Sequence, residues 1–268
     1  MLYSLLYNLN CYLMENEHTT HHHAPQKKDD VSIPLAIVLA GLLIAGAIFF
    51  SNKNNPSSAA PIQANAKVAV DNTQAPLTEL ALKENDHVLG NPNAEVLIIE
   101  YSDTECPFCK NFHASMAEIM NESGKTGSVA WVYRHFPLDM HPKARKEGEA
   151  LECANELGGN NAFWAYANKI FEITPSNNGL NLSLLPQIAT DVGLDATKFT
   201  ACLDSGKFAD RVQSDFVSGV NIGIHGTPYT VVWNRKTGKQ MPISGALPIN
   251  NIRAILKIVV DSQPTPKT

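Results

Sequence analysis

Cys106-Pro107-Phe108-Cys109 follows directly on the apolar run Val96-Leu97-Ile98-Ile99-Glu100-Tyr101, and a strand that hands two cysteines to the start of a helix is the layout of a redox dithiol. At this spacing two thiols close a disulfide with little backbone movement. A thiol at a helix N-terminus faces unpaired backbone N–H groups and the positive end of the helix dipole, which stabilise the thiolate. The thiolate is the nucleophile of thiol–disulfide exchange, so lowering the pKa of Cys106 from about 8.5 towards the roughly 3.5 to 7 of such motifs makes it reactive at neutral pH. Each unit of that shift favours the ionised form by about 1.4 kcal/mol. Structural zinc uses the same spacing but needs four ligands, normally with a second closely spaced pair, and the sequence has none. A redox pair without metal or other cofactor is therefore expected.

The remaining cysteines say where such a pair works. Of five, Cys11 precedes a long apolar segment, whereas Cys106, Cys109, Cys153 and Cys202 all follow it. Proximity pairs Cys106 with Cys109 and leaves Cys153 with Cys202 as the candidate for a second bridge in an oxidising compartment. A structural disulfide pinning two helices is preferred there, worth about 2 to 4 kcal/mol in the loop-entropy model; a second redox pair and buried free thiols are the alternatives. With 268 residues, 44% hydrophobic and 18% charged, the chain has material for one good-sized domain plus flanking segments. Its net charge of −5 gives no electrostatic reason to expect nucleic acid as a partner.

Ile33 to Phe50 contains no charged residue, and at about 1.5 Å per residue it approaches the roughly 30 Å of a hydrocarbon core. A transmembrane anchor is expected over 31–51. Lys27 and Lys28 against Lys53 put the N-terminus in the cytoplasm and the rest outside a bacterial cell membrane as a single-pass protein. A cleaved signal peptide is the alternative, but the apolar run is long for one and the small-x-small site Ala64-Asn65-Ala66 lies far downstream. Residues 1–30 read as a cytoplasmic tail whose true start could be Met14, which would remove Cys11; its histidines His18, His21, His22 and His23 read as solvated rather than metal-binding. Residues 52–83, rich in Asn, Ser, Ala and Pro, read as a flexible linker, and 263–268 as a tail.

From 84 to 262 the pattern is globular. Strands are expected at Ala94 to Tyr101, Ser128 to Arg134, Tyr229 to Trp233 and Lys239 to Ser244. Helices are expected at Cys109 to Asn121, Pro142 to Leu157, Ala162 to Phe171, Leu184 to Val192, Ala196 to Leu203, Phe208 to Asn221 and Ile249 to Val260, with Gly158-Gly159 breaking the second from the third. Trp131, Phe163, Trp164 and Phe171 read as core, and His113, His135 and His141 are given no role.

His225-Gly226-Thr227-Pro228 stands immediately before the third strand, where proline is tolerated only at the first position. A CxxC at a strand-to-helix junction, a helical insertion at about 141–222, and Gly-Thr-Pro before a hairpin resemble the DsbA-like branch of the thioredoxin superfamily, over residues 84–262. The resemblance implies an α/β, thioredoxin-like fold with an α-helical insertion. It further implies that Thr227-Pro228 is cis beside the dithiol, that the Thr227 backbone pairs with substrate, and that Pro107 and Phe108 are substrate-facing. Glu100, six residues before Cys106, matches a buried acidic residue of the family that assists proton transfer; at the end of a buried strand its pKa would rise and suit it to serve Cys109. A surface glutamate is the alternative.

Asp103 and Glu105 add negative charge that opposes a Cys106 thiolate, with little effect if exposed and screened. Phe108 replaces the histidine of the family's strong oxidant, and Thr227 also occurs in isomerase and reductase relatives. The expected activity is disulfide formation in exported proteins, with a quinone-linked membrane reoxidant of the DsbB or VKOR kind implied by the resemblance. A reductase or isomerase of the same fold, and a non-catalytic thioredoxin-like binding module, are the alternatives.

Overall fold

Every residue of Val96–Ser102 (β2) is buried, as a strand covered on both faces requires. The computed structural model describes residues 75–264. In it β2 lies at the centre of a sheet completed by His87–Gly90 (β1), Val129–His135 (β3), Tyr229–Asn234 (β4) and Gln240–Ser244 (β5). The strand order is β1-β3-β2-β4-β5. β3 runs parallel to β2 and β4 antiparallel to it, which sets Glu100 between Tyr133 and Thr230; β1 and β5 pair antiparallel at the edges.

The parallel β2–β3 pair needs a crossover, and Pro107–Ser123 (α2) supplies it. Proline at the first helical position gives up an N–H that would have no partner there. α2 turns Cys109, Phe112, His113, Met116, Ile119 and Met120 inward, a three-and-four spacing that lays one stripe on the sheet. Each large apolar side chain on that stripe contributes about 1.5 to 3 kcal/mol, and Phe112→Ala would cost about 3 to 5 kcal/mol.

Between β3 and β4 the chain leaves the sheet for Ala144–Ile173 (α3), Leu185–Asp191 (α4), Ala196–Ser205 (α5) and Ala209–Asn221 (α6). Gly159 breaks α3 with φ 71° and ψ −171°, a conformation open to glycine at little cost. A disulfide joins Cys153 in α3 to Cys202 in α5. Ile249–Val260 (α7) returns against the sheet, and a short helix, Leu77–Leu80 (α1), precedes it.

Two apolar cores follow from the alternation of β2. Val96 and Ile98 join Trp131, Tyr133, α2, α7 and the insertion on one face; Leu97, Ile99 and Tyr101 join Leu80, Val132, Phe136 and Ile224 on the other. On that second face the buried Arg134 donates to Asp86, to the Ala81 carbonyl and to Tyr101 Oη, tying the segment before β1 to β3. The four-residue β1 is too short to show alternation and was not expected. The expected anchor, residues 52–74 of the expected linker, the histidine-rich tail and most of 263–268 lie outside the described residues, whereas 75–83, read as flexible linker, are built into the fold: Leu77–Leu80 forms α1 and its Leu80 is buried in the second core. Among the described residues no helix is long and apolar enough to cross a membrane.

Candidate active site

The end of β2 delivers Cys106 to the N-cap of α2, and Cys109 lies one turn in, fully buried. Cys106 Sγ is 3.5 Å from the carbonyl oxygen of Thr227, and the Asp103 N–H donates to Cys109 Sγ at 3.4 Å. Thr227-Pro228 is cis and opens β4. The two segments picked out from the sequence therefore meet at one point, with Phe108 62% exposed beside them.

The two thiols differ in charge preference. Cys106 is lowered to about 6, first by the hydrogen bond from Cys109, against the opposing effect of burial, with help from backbone N–H groups at the helix start and from Thr227. Burial, together with that same hydrogen bond and the charges of Cys106 and Glu100, pushes Cys109 well above the ordinary thiol value. The pair is thus a thiolate nucleophile with a protonated partner, the division of labour that thiol–disulfide exchange needs.

Glu100 is fully buried, and its pKa is raised to about 7 by that burial. The Trp131 indole N–H donates to its Oε2 at 2.9 Å and, with Ser102, moderates the rise. A carboxyl that titrates near neutrality beneath a high-pKa thiol is equipped to pass a proton to or from Cys109.

Asp103 and Glu105 are not the screened surface charges that exposure would have made them; both are buried. Asp103 accepts from the N–H groups of Glu105 and Leu138 at 2.7 and 2.8 Å and pairs with His141 at 2.9 Å. Glu105 accepts from the N–H groups of Gly179 and Leu180, and its own carbonyl from Asn177 N–H at 2.7 Å. Beside it Glu147 is buried with no donor to either oxygen, and is pushed up to about 9 by burial and by Glu105. Glu147 therefore keeps its proton at neutral pH.

Through Glu105 the site holds an unusual segment of the insertion. Ser176, Asn177 and Asn178 all have positive φ, of 63°, 53° and 64°. Such residues persist where surrounding contacts over-determine them. Here Lys143 Nζ donates to the Asn178 and Leu180 carbonyls at 2.7 Å, and Lys110 Nζ to Thr174 at 2.6 Å. Sequence reading missed Glu147, Lys110 and this segment and gave His141 no role, because their partners lie 35 or more residues away along the chain.

Cys153 and Cys202 are bridged within the insertion, and Cys106 and Cys109 are the free cysteines among the described residues. His113 is buried against Phe171 and Trp131 and is lowered to about 4 by that burial.

A family model described as Thioredoxin matches residues 82–246. The chain belongs to the thioredoxin family. Among solved structures, DsbA2 of Pseudomonas aeruginosa is 27% identical, with a TM-score of 0.55 over 68% of this chain and 98% of that one. BdbD from Bacillus subtilis, at 23% identity and a TM-score of 0.59, covers 70% of this chain and 97% of its own and shares the fold. Within the thioredoxin family the chain is thus DsbA-like, and its Cys106–Cys109 pair, helical insertion and Thr227-Pro228 occupy the places that resemblance implies. Among curated relatives, the Na+/H+ antiporter NhaA of Herminiimonas arsenicoxydans is 29% identical over 174 residues, 65% of this chain and 25% of the relative. NhaA 3 of Salinispora tropica is 32% identical over 158 residues, 57% and 22% of the two chains. The chain spans about a quarter of the length of the curated relatives it matches.

Proposed function

We propose that this thioredoxin-family protein is a membrane-tethered thiol–disulfide oxidoreductase that forms disulfides in exported proteins, with its dithiol outside the cytoplasm. The observation that carries the chemistry is the asymmetry of the pair, Cys106 lowered to about 6 and Cys109 pushed far the other way, next to the Thr227 carbonyl. The uncharged run Ile33 to Phe50 and the bridge between Cys153 and Cys202 support the tether and the oxidising compartment.

Starting from the Cys106–Cys109 disulfide, a substrate thiolate attacks Cys106 Sγ. The intramolecular S–S bond breaks, a mixed disulfide forms, and Cys109 leaves as a thiolate that takes a proton from Glu100. A second substrate thiolate then attacks the substrate sulfur of the mixed disulfide, giving the substrate disulfide and the Cys106 thiolate. The substrate has lost two electrons and the dithiol holds them until a membrane partner of the DsbB or VKOR kind, with its quinone, accepts them.

The burial of Asp103 and Glu105 just before Cys106 is what would favour the opposite direction, reduction or isomerisation, since a negative charge held there would weaken the thiolate. The reduction potential of the full chain and acid-trapping of Cys106 and Cys109 in cells separate the two. A value near about −120 mV with an oxidised pair is expected; near about −270 mV with a reduced pair, the oxidase assignment fails.

A further inference from the structure

Glu100 meets no solvent, yet in the exchange just described it gives a proton to Cys109 in every turnover. Its carboxylate must be refilled through the protein. From α2 it faces Cys106 and Cys109; from β3, Trp131 and Tyr133; from β4, its register partner Thr230; from its own strand, Ser102, with Asp103 just beyond. Trp131 has only a donor, already committed to Oε2, so it cannot relay. Ser102 shares the face of Glu100 on β2 and lies beside both that carboxyl and the phenol of Tyr133. Glu100 Oε1, Ser102 Oγ and Tyr133 Oη are all buried, and no fixed hydrogen bond holds any of them. A hydroxyl both donates and accepts, and one free to rotate between two polar neighbours is what proton transfer needs.

Beyond Tyr133 the same face continues into polar groups. His135 follows two residues on in β3, its ring centroid 5.4 Å from that of Tyr133, and His87 is the register partner of Tyr133 on β1. Both imidazoles place Nε2 at 2.9 Å from one oxygen of Glu152 on α3. His87, His135 and Glu152 have the composition of a metal cradle, their ligand atoms lying within 4.8 Å of one another. Two features favour a proton-bearing network instead: both nitrogens share one oxygen at hydrogen-bond distance, and Arg211 Nε is 3.6 Å from it, where its charge opposes a dication. Arg211, 10% exposed and paired with Asp215, marks the solvent side of the network without itself passing a proton, since it has donors only.

We propose that Ser102 and Tyr133 are positioning residues that relay protons between Glu100 and the His135–Glu152–His87 network. As Glu100 protonates Cys109, the Ser102 proton moves to Glu100, that of Tyr133 to Ser102, and one from the imidazole network to Tyr133; solvent at the Arg211 end restores it. One proton enters for each delivered to Cys109, and no electrons move along the file. This rests on the exchange reaction proposed above.

The test is stopped-flow reduction of the full-length oxidised protein by a peptide dithiol, followed across pH and in H2O against D2O. Tyr133→Phe, which removes one oxygen from the core, is expected to slow the Cys109 step at least about tenfold above pH 7 and enlarge the isotope effect. The reduction potential and the Cys106 thiolate titration keep their wild-type values, since the end states are unchanged. Ser102→Ala repeats the defect and Ser102→Thr restores the rate, which separates the relay from a packing effect. A wild-type pH profile and isotope effect in both Tyr133→Phe and Ser102→Ala overturn the relay alone. A wild-type protein that does not exchange overturns the reaction beneath it.

Discussion

Cys106 Sγ and the Thr227 carbonyl oxygen stand 3.5 Å apart although 121 residues separate them. In the proposed reaction, a substrate segment hydrogen-bonded to the Thr227 backbone would thereby be carried to the nucleophile, and docking and reaction would share one address.

Thiolate absorbance at 240 nm in the reduced protein should titrate with a midpoint near 6. Because the folded value is depressed, the stability it brings to the reduced form is fully present above the unfolded thiol value and lost as pH falls through about 6. Cys109→Ala should move the midpoint up, since the Cys109 hydrogen bond is the largest lowering influence, and Cys106→Ser should abolish the signal. A wild-type midpoint above 8 would contradict this assignment.

Glu100 should tilt stability the other way. Between about 4.5 and 7 the unfolded chain ionises this carboxyl while the fold keeps its proton, so stability declines as pH rises through that window. Urea denaturation of Glu100→Gln from pH 4 to 8 should show that slope removed; an identical slope in the variant rules the buried carboxyl out as its source.

The Glu147 proton extends the same effect to about pH 9. Glu147→Gln should fold normally at pH 7 and resist alkaline denaturation better than wild type. Glu105→Ala removes the acceptor for Gly179 and Leu180 and should cost about 2 to 4 kcal/mol. Faster proteolysis near residues 174–180 in Glu105→Ala, and not in Glu147→Gln, is the accompanying check.

Replacing Cys153 and Cys202 together by serine should cost about 4 kcal/mol for a loop of 49 residues while leaving the reduction potential of the Cys106–Cys109 pair unchanged. A shifted potential would mean that the two pairs exchange electrons.

Local patterns carried much of this in the sequence. β2 and α2 are long, strongly apolar or periodic elements, and α7 was placed at Ile249–Val260 by its spacing alone. Cys106 was visible through the paired cysteines at the strand-to-helix junction, and Glu100 and Thr227-Pro228 through the resemblance. Burial of Asp103 and Glu105 was not visible, because acidic residues near a helix start are ordinarily solvated, and it is the insertion folding back over them that excludes water. His87 and Glu152 were invisible for the related reason that neither has a functional neighbour within its own segment. The two helices expected on either side of Gly158-Gly159 are the two arms of α3, interrupted at Gly159, so the break shows locally in the sequence and its narrow extent does not.

The left-handed run Ser176–Asn178 has a bearing on modularity. Its fasteners, Glu105, Lys110 and Lys143, straddle the junction between the dithiol segment and the insertion. Transplanting the insertion onto another member of the superfamily would therefore require the residue before the first cysteine and the one after the second to travel with it. A cassette cut at the ends of the helices alone would arrive without its clasp.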